Sequence, residues 1–278
     1  MIAVARPCPA VGRISVIIPT LDEAERIPSL VATLRGEPGL AEIIVADGGS
    51  ADGTPAIAAA LGARVIRSAR GRGQQLRAGA AAASGEILLF LHADSVFPAG
   101  GLTALAAALD RDSAIPGGNF RVVFDGDSGF ARWLTGFYAW LRHFALYYGD
   151  SGIFVRRAVY EAVGGFAPMP LMEDYDFVRR LERAGRTVRV ECPPLVTSSR
   201  KFAGRRPMAI FWGWIVVHML YWLGVAPERL ARLYYPRGWR RQAGLTRSAG
   251  PAASGGNATP QPWRSPPPGS GNRPPPWH

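Results

Sequence analysis

Short apolar runs alternate with segments of helical period through the first 110 residues. Residues 14–18 are apolar except for Ser15 and predict a strand. Over 21–34 the apolar positions Leu21, Ile27, Leu30, Val31 and Leu34 follow a helical spacing. The alternation continues with strands at 42–46, 63–66 and 86–91, and helices at 54–61, 72–83 and 101–109. Short, continuously apolar strands separated by helices predict an α/β fold, a mostly parallel sheet with helices on both faces. Ligands of such sheets bind beyond the C-terminal strand ends. Those ends carry Pro19-Thr20, Asp47-Gly48-Gly49 and His92-Ala93-Asp94, so three polar clusters are expected on one edge.

After Asp112 the pattern changes. Strands are predicted at 119–124, 152–156, 187–190 and 195–197, with helices at 157–163 and 173–184. Residues 130–148 read as a helix crowded with aromatics, from Phe130 and Trp133 to Tyr147 and Tyr148. Residues 208–225 carry no Asp, Glu, Lys or Arg, and a last helix is expected at 227–235. Beyond residue 245 the chain is rich in Pro, Gly and Ser without hydrophobic period and is expected to be disordered. The expected organisation is an N-terminal extension (1–12), a main domain (13–204), an apolar or amphipathic helical appendage (205–244) and a tail (245–278).

Charge changes this picture little. Of 278 residues 48% are apolar and 19% charged, enough for one large core. The net charge of +11 suggests nucleic acid, but six arginines and no acidic residue lie from Arg237 onward, so the excess is concentrated in the tail. That tail has one aromatic–basic pair, Trp263-Arg264, and no nucleic-acid module is recognisable. The two cysteines, Cys8 and Cys192, exclude a disulfide scaffold. Residues 1–13 lack the apolar core of a signal sequence, and no targeting peptide is expected.

Six clusters carry candidate chemistry. In Pro19-Thr20-Leu21-Asp22-Glu23, a strand end presents Thr20 to a nucleotide; Thr20 and Glu23 also have capping-box spacing. In Asp47-Gly48-Gly49-Ser50-Ala51-Asp52, a carboxylate can accept the imide N–H of a base, while glycines allow close backbone approach and Asp52 can cap the next helix. Gly71-Arg72-Gly73-Gln74-Gln75-Leu76-Arg77 has neither a phosphate-loop nor a dinucleotide spacing, yet Arg72 or Arg77 can meet a phosphate at a helix start. At a period of two, His92 and Asp94 point to one side and can share a divalent ion. Glu173, Asp174 and Asp176 crowd a helix start, where one can serve as a general base. Asp150 and Ser151, in Gly149-Asp150-Ser151-Gly152, are candidates for contact with a sugar or for a tight turn.

These clusters, with Gly164-Gly165-Phe166, follow the order seen in family 2 glycosyltransferases, which the chain resembles over roughly residues 14–200. The resemblance implies the GT-A fold and inverting transfer of a sugar from a nucleotide diphosphate sugar, with a UDP-sugar as the expected donor. It implies that Thr20, Glu23 and Asp47 hold the nucleotide, that Asp94 with His92 holds Mn2+ or Mg2+, and that Asp174 is the base with Glu173 beside it. Pro19, Gly48, Ser50, Arg72, Gln75 and Arg77 are further candidates at the nucleotide, Arg77 standing where relatives often carry Asn. The chain is most similar to a bacterial subgroup with His-Ala-Asp at the metal position, whose members carry arsenosugar-type or carotenoid-acid labels. His92 replaces the usual first aspartate, which should weaken Mg2+ binding or shift preference toward Mn2+. The Gln-x-x-Arg-Trp motif of processive synthases is missing, so one sugar is transferred at a time.

The aromatics of 208–225, with Arg200, Lys201, Arg205 and Arg206 before them and Arg229 and Arg232 after, suit a bilayer interface first, a buried helix next and a span last. A lipid-like acceptor, such as a polyprenyl phosphate or a carotenoid acid, and a peripheral position on the cytoplasmic side of the cell membrane are the matching expectations. Two other classes compete. A sugar-phosphate nucleotidyltransferase needs a glycine-rich basic loop after the first strand, which is missing here. A basic membrane-binding protein with a degenerate site would use the arginine tail.

Overall fold

One seven-stranded sheet organises the computed structural model, which describes residues 13–198 and 207–235. The chain runs β1 (Ile14–Thr20), α1 (Ile27–Arg35), β2 (Leu40–Asp47), α2 (Thr54–Ala60), β3 (Arg64–Arg67), α3 (Arg72–Ala82), β4 (Ile87–Phe90) and α4 (Gly101–Asp110). It continues with β5 (Gly117–Phe124), α5 (Gly129–Leu141), β6 (Ile153–Arg156), α6 (Arg157–Ala162), α7 (Glu173–Ala184), β7 (Val188–Thr197), α8 (Pro207–Trp222) and α9 (Pro227–Tyr234). The spatial order is β3-β2-β1-β4-β6-β5-β7. β1, β2, β3 and β4 are mutually parallel, β5 pairs parallel with β7, and β6 runs antiparallel to both β4 and β5.

Side-chain alternation in β1 distributes the core to both faces. Ile14, Val16 and Ile18 join Leu30, Val31 and Leu34 of α1 and Leu102, Leu105 and Leu109 of α4. Ile17 faces the other way, onto Leu76 and Ala80 of α3 and the Phe166–Phe177 pair beside α7. The seat of α3 on the sheet requires Gly79, where a Cβ would lie 2.3 Å from Ile17 Cγ2.

The structure differs from the periodicity in three places. The helix expected from residue 21 begins at Ile27, with Pro28 in its first turn. Residues 21–26 are a turn whose amides bond across to the loop after β2: Asp22 N–H to Ser50 Oγ, Glu23 N–H to Thr54 Oγ1 and Ala24 N–H to Asp52 Oδ2. The capping box of Thr20 and Glu23 therefore does not form, and Arg26 occupies the N-cap position without a side-chain cap. The helix expected over 130–148 ends at Leu141, passes through a 3₁₀ turn at Arg142–Phe144 and reverses at Ala145, whose φ is +55°. Arg142 fixes this break by donating to Asn119 Oδ1 on β5 and to Thr187 Oγ1 before β7. The two strands expected at 187–190 and 195–197 are one strand, β7, with an irregularity opposite Phe120–Val122. The extension 1–12, the run 199–206 and everything from 236 on, including the expected disordered tail, lie outside the described residues.

The candidate active site at the C-terminal strand edge

Three strand ends and one reversed strand build this edge. β1 delivers Thr20, β2 delivers Asp47, and the chain leaves β4 through His92 and Asp94. Because β6 is antiparallel, its first residue Ile153 pairs with Phe90 at the end of β4. The preceding 3₁₀ turn Gly149–Ser151 is thereby brought to the same edge.

Asp47 is nearly buried. Its carboxylate accepts the backbone N–H of Gly49 at 2.9 Å, the N–H of Ser50 and the Ser50 hydroxyl. The Thr20 hydroxyl stands 3.5 Å away. Arg70, outside the expected set, steadies the loop by donating to the Gly48 and Gly49 carbonyls. Asp52 accepts Ala24 N–H, Thr54 N–H and the Thr54 hydroxyl. Burial pushes the Asp52 carboxyl up, but these bonds outweigh it and hold its pKa below the ordinary value. Outside the two loops an open cleft of about 490 Å3 is lined by Asp22, Glu23, Ala24, Glu25, Arg26 and Asp52. Four carboxylates beside one arginine make it unsuited to a bare diphosphate, and Asp174 is not among its lining residues.

Gln75 was expected at the nucleotide. It is buried, and its side-chain NH2 donates to the carbonyls of Thr20 at 2.7 Å and Ala46 at 2.8 Å. It therefore ties the ends of β1 and β2 together. Gln75→Leu should remove this donor from both carbonyls, leaving Thr20 O with the Gly48 N–H at 3.0 Å, and cost about 1–2 kcal/mol in denaturant unfolding. An unchanged midpoint would show that the clamp is dispensable. Arg77, expected at a phosphate, is exposed, five residues along α3 from Arg72 and about 140° round the helix. Its electrostatic neighbour is Tyr160 of α6, so the structure removes it from the edge. Ser151 is also occupied locally, donating its hydroxyl to Tyr148 O at 2.6 Å, which makes 149–151 the tight turn.

His92 and Asp94 do not lie on an extended strand. Ser95 N–H bonds to His92 O at 3.1 Å, closing a turn that abolishes the period of two. Their surroundings differ accordingly. Asp94 acts electrostatically on Glu23 and Arg26, whereas His92 acts on Asp174. Burial foremost, then Asp94 and Asp52, raise the pKa of Glu23 against the opposing pull of Arg26. Among the described residues no three His, Cys, Asp or Glu side chains converge as a metal cage.

Glu173 and Asp174 open α7, where the helix dipole favours negative charge. Glu173 pairs with Arg72 Nε, and Asp174 Oδ2 lies 3.4 Å from Arg72 Nη2. Asp174 also accepts Gly149 N–H at 3.0 Å and its neighbour Tyr175 N–H at 2.8 Å. Burial raises both carboxyls, but the outcomes diverge. In Asp174, Arg72, the two amides and His92 more than cancel burial, and the pKa falls below the usual range. In Glu173 burial prevails over Arg72, with Asp174 adding to it, and the pKa rises. Two adjacent carboxyls driven apart in this way separate a charged base from a group that retains its proton more readily. Arg72 itself is held charged by the two carboxylates despite burial.

The surrounding walls were not legible as site residues. The Tyr138 hydroxyl of α5 donates to Asp150 Oδ2 at 3.0 Å, and burial together with Asp150 raises its pKa well above ordinary. Tyr235, just past α9, lies near Arg72, Glu173 and Asp174; burial pushes its hydroxyl up to about 12. Gly149 has no room for a side chain: a Cβ would sit 2.9 Å from His92 Nε2 and 3.4 Å from Asp174 Oδ2. Of these, only the Gly149–Gly152 turn had a local sequence signal.

Residues 15–164 match the sequence profile of the family described as Glycosyl transferase family 2. An uncharacterised glycosyltransferase of Mycobacterium bovis is 34% identical over 111 residues, which cover 40% of this chain and 50% of that protein. A glucosyl-3-phosphoglycerate synthase of Mycolicibacterium smegmatis is 36% identical over 96 residues, 31% of this chain and 32% of that one. The chain spans about half the length of the first of these curated relatives. The fold resembles the crystal structure of glucosyl-3-phosphoglycerate synthase from Mycobacterium tuberculosis in complex with Mn2+, UDP-glucose and phosphoglyceric acid. There the TM-score is 0.55 at 22% identity, over 80% of this chain and 86% of that one. It also resembles Staphylococcus aureus TarS residues 1–349 in complex with UDP-GlcNAc, with TM-score 0.56 at 16% identity, over 82% and 72% of the two chains.

Proposed function

The chain belongs to glycosyl transferase family 2, and on that premise we propose that it moves one sugar from a nucleotide diphosphate sugar to an acceptor, inverting the anomeric carbon. The observation that carries this reading is the buried Glu173–Asp174 pair at the start of α7, joined to Arg72 and to Gly149 N–H beside the edge where β1, β2 and β4 end. UDP-sugars in complex with the structural neighbours support a UDP-sugar as donor.

Asp47 and the Gly48–Ser50 loop hold the nucleoside, with Thr20 on its flank. Asp94 is the carboxylate available for a divalent cation, beside the acidic group Glu23. Mg2+ and Mn2+ take one or two carboxylates plus substrate phosphate oxygens and water, a requirement that Asp94 can meet. When bound, the cation offsets charge on the departing diphosphate. His92 is set toward Asp174, so Asp94 is the stronger candidate ligand of the two. The acceptor oxygen forms its bond to the anomeric carbon as the bond to diphosphate breaks. From a hydroxyl acceptor Asp174, its pKa held low, receives the proton; a carboxylate or phosphate acceptor is already deprotonated at neutral pH, and in each case the nucleoside diphosphate leaves.

The acceptor supplies a hydroxyl, carboxyl or phosphate oxygen on a lipid-like molecule, of the polyprenyl phosphate or carotenoid-acid kind, at the cytoplasmic face of the cell membrane. Apolar aromatic walls on α5 and α8 beside the edge support that class. Among the described residues no helix is long and apolar enough to cross a membrane.

Binding and slow hydrolysis of UDP-, GDP- and dTDP-sugars, with and without Mn2+ or Mg2+, test the donor half. Wild type is expected to bind one donor in a metal-dependent way that Asp94→Ala abolishes. Metal-independent binding, or binding that survives in the variant, would remove Asp94 from the cation site.

A further inference from the structure

Helix α8 has two unlike faces. Its inner face is tied to α7 and to the turn before Gly149. His218 Nδ1 donates to Trp214 O at 2.8 Å, which leaves Nε2 to accept the Tyr148 hydroxyl at 3.0 Å in the neutral ring. Trp222 Nε1 donates to the Tyr175 hydroxyl at 2.7 Å, and Val217 packs with Leu171, Met172 and Leu230. Its outer face shows Trp212, Val216, Met219 and Trp222, at i, i+4, i+7 and i+10. Those positions form one helical stripe. Trp212 and Trp222 are 57% and 66% exposed, so this helix, apolar on both faces, shows large apolar side chains to solvent.

Helix α5 repeats the arrangement. Trp133 and Trp140 are exposed along it and Phe144 on the 3₁₀ turn that follows, and Phe137 stacks between the two tryptophans. Phe211 of α8 meets Trp133 and Phe137 edge-on, at ring separations of 6.1 and 5.6 Å, so the two stripes are continuous. A contiguous exposed apolar surface of this kind marks a docking site.

Charge decides the occupant. Residues 129–149 and 207–227 contain no Asp or Glu, while Arg132, Arg229 and Arg232 are exposed on α5 and α9. A second copy would bring the same positive surface to a chain already at +11, and like charges would oppose pairing. An anionic lipid leaflet supplies the opposite sign, and indole rings favour the boundary between headgroups and acyl chains. Among the described residues no helix is long and apolar enough to cross a membrane: the 16 residues of α8 reach ~24 Å, against a hydrocarbon core of about 30 Å.

We propose that the outward stripes of α5 and α8 dock this protein flat on an anionic lipid leaflet. Through Tyr148 and Tyr175, the neighbours of Gly149 and Asp174, docking sets the carboxyl pair near headgroup level. An amphiphilic acceptor then presents its polar end to Asp174 without leaving the membrane. The inference rests on the sugar-transfer reading for the acceptor, and on the two stripes alone for docking.

The test is co-sedimentation of the full chain with phosphatidylcholine vesicles containing a minority of phosphatidylglycerol, against phosphatidylcholine alone. The Trp140→Ser/Trp212→Ser double variant is compared with wild type, since both side chains point outward. Wild type is expected to bind the anionic vesicles, less tightly as salt rises, and the double variant at least ~10-fold more weakly. Undiminished binding by the variant would assign the attraction to the arginines from 237 onward and overturn the proposal. So would no vesicle binding by wild type, or light scattering that shows a wild-type dimer made monomeric by the variant. Metal-dependent donor binding, measured without vesicles, reports on the transfer reading separately: a wild type that binds donor but no vesicles sinks docking alone, and a wild type that binds vesicles but no donor sinks transfer alone.

Discussion

Asp174→Asn is expected to lower sugar transfer about 10²–10⁴-fold, the contribution of a positioned general base, while donor binding stays near wild type. The substitution keeps the shape of the side chain and one acceptor oxygen. Gly149 N–H and Tyr175 N–H each need an acceptor, so the asparagine amide group meets one of them unfavourably. That mismatch costs about 1–3 kcal/mol of stability, so folding is checked separately by denaturant titration. The wild-type rate profile gives a second readout. Asp174 accepts a proton only when charged, and its pKa is held low, so kcat/KM should fall only at pH below the ordinary carboxylate range. Near-full transfer by Asp174→Asn with an established acceptor would remove Asp174 from the base role.

Arg72→Ala carries the largest expected loss of stability. Glu173 is 1% exposed, and with Asp174 beside it the arginine is the cation paired with both. Breaking a fully buried pair from one side costs about 3–5 kcal/mol; the 38% exposure of Arg72 lets water screen part of this, so about 2–3 kcal/mol is expected. The pH dependence has a definite sign. Without Arg72 the folded state holds the Glu173 proton still more tightly than the unfolded chain does. The variant is then relatively favoured below the ordinary carboxylate pKa, and loses stability as pH rises through the raised value. Its deficit against wild type should be largest at neutral pH and shrink near about pH 4. Urea unfolding at the two pH values measures this, with Arg72→Lys restoring part of the loss. An equal deficit at both would show that Arg72 acts through packing of its stem.

The sheet and the convergence of its polar ends were legible because buried parallel strands are short and continuously apolar, and because the chain must turn at their C-terminal ends. Thr20, Asp47 and Asp94 were found this way. Periodicity failed where tertiary bonds replace local ones. The first turn expected after residue 20 is unwound because Ser50, Asp52 and Thr54 take its amides. The long aromatic helix is cut at Arg142 because its guanidinium reaches Asn119 and Thr187. His92 was read with Asp94 from an alternation that a turn at 92–95 removes.

By itself the sequence determined the order of elements, the strand-end clusters, the acidic start of the helix at 173 and the family likeness, all of which depend on residues close together in the chain. Only the tertiary structure decided the partners. Arg72 and Glu173 are 101 residues apart, and Tyr148 and His218 70 apart. It also showed that α8 leaves large apolar side chains exposed, and that Gln75 closes a strand junction where a nucleotide contact was expected. The physical reason is that a protonation state, a hydrogen-bond partner or an exposed face is set by what packs against a side chain. The reversed direction of β6 and the placement of α3 against α7 bring those neighbours together.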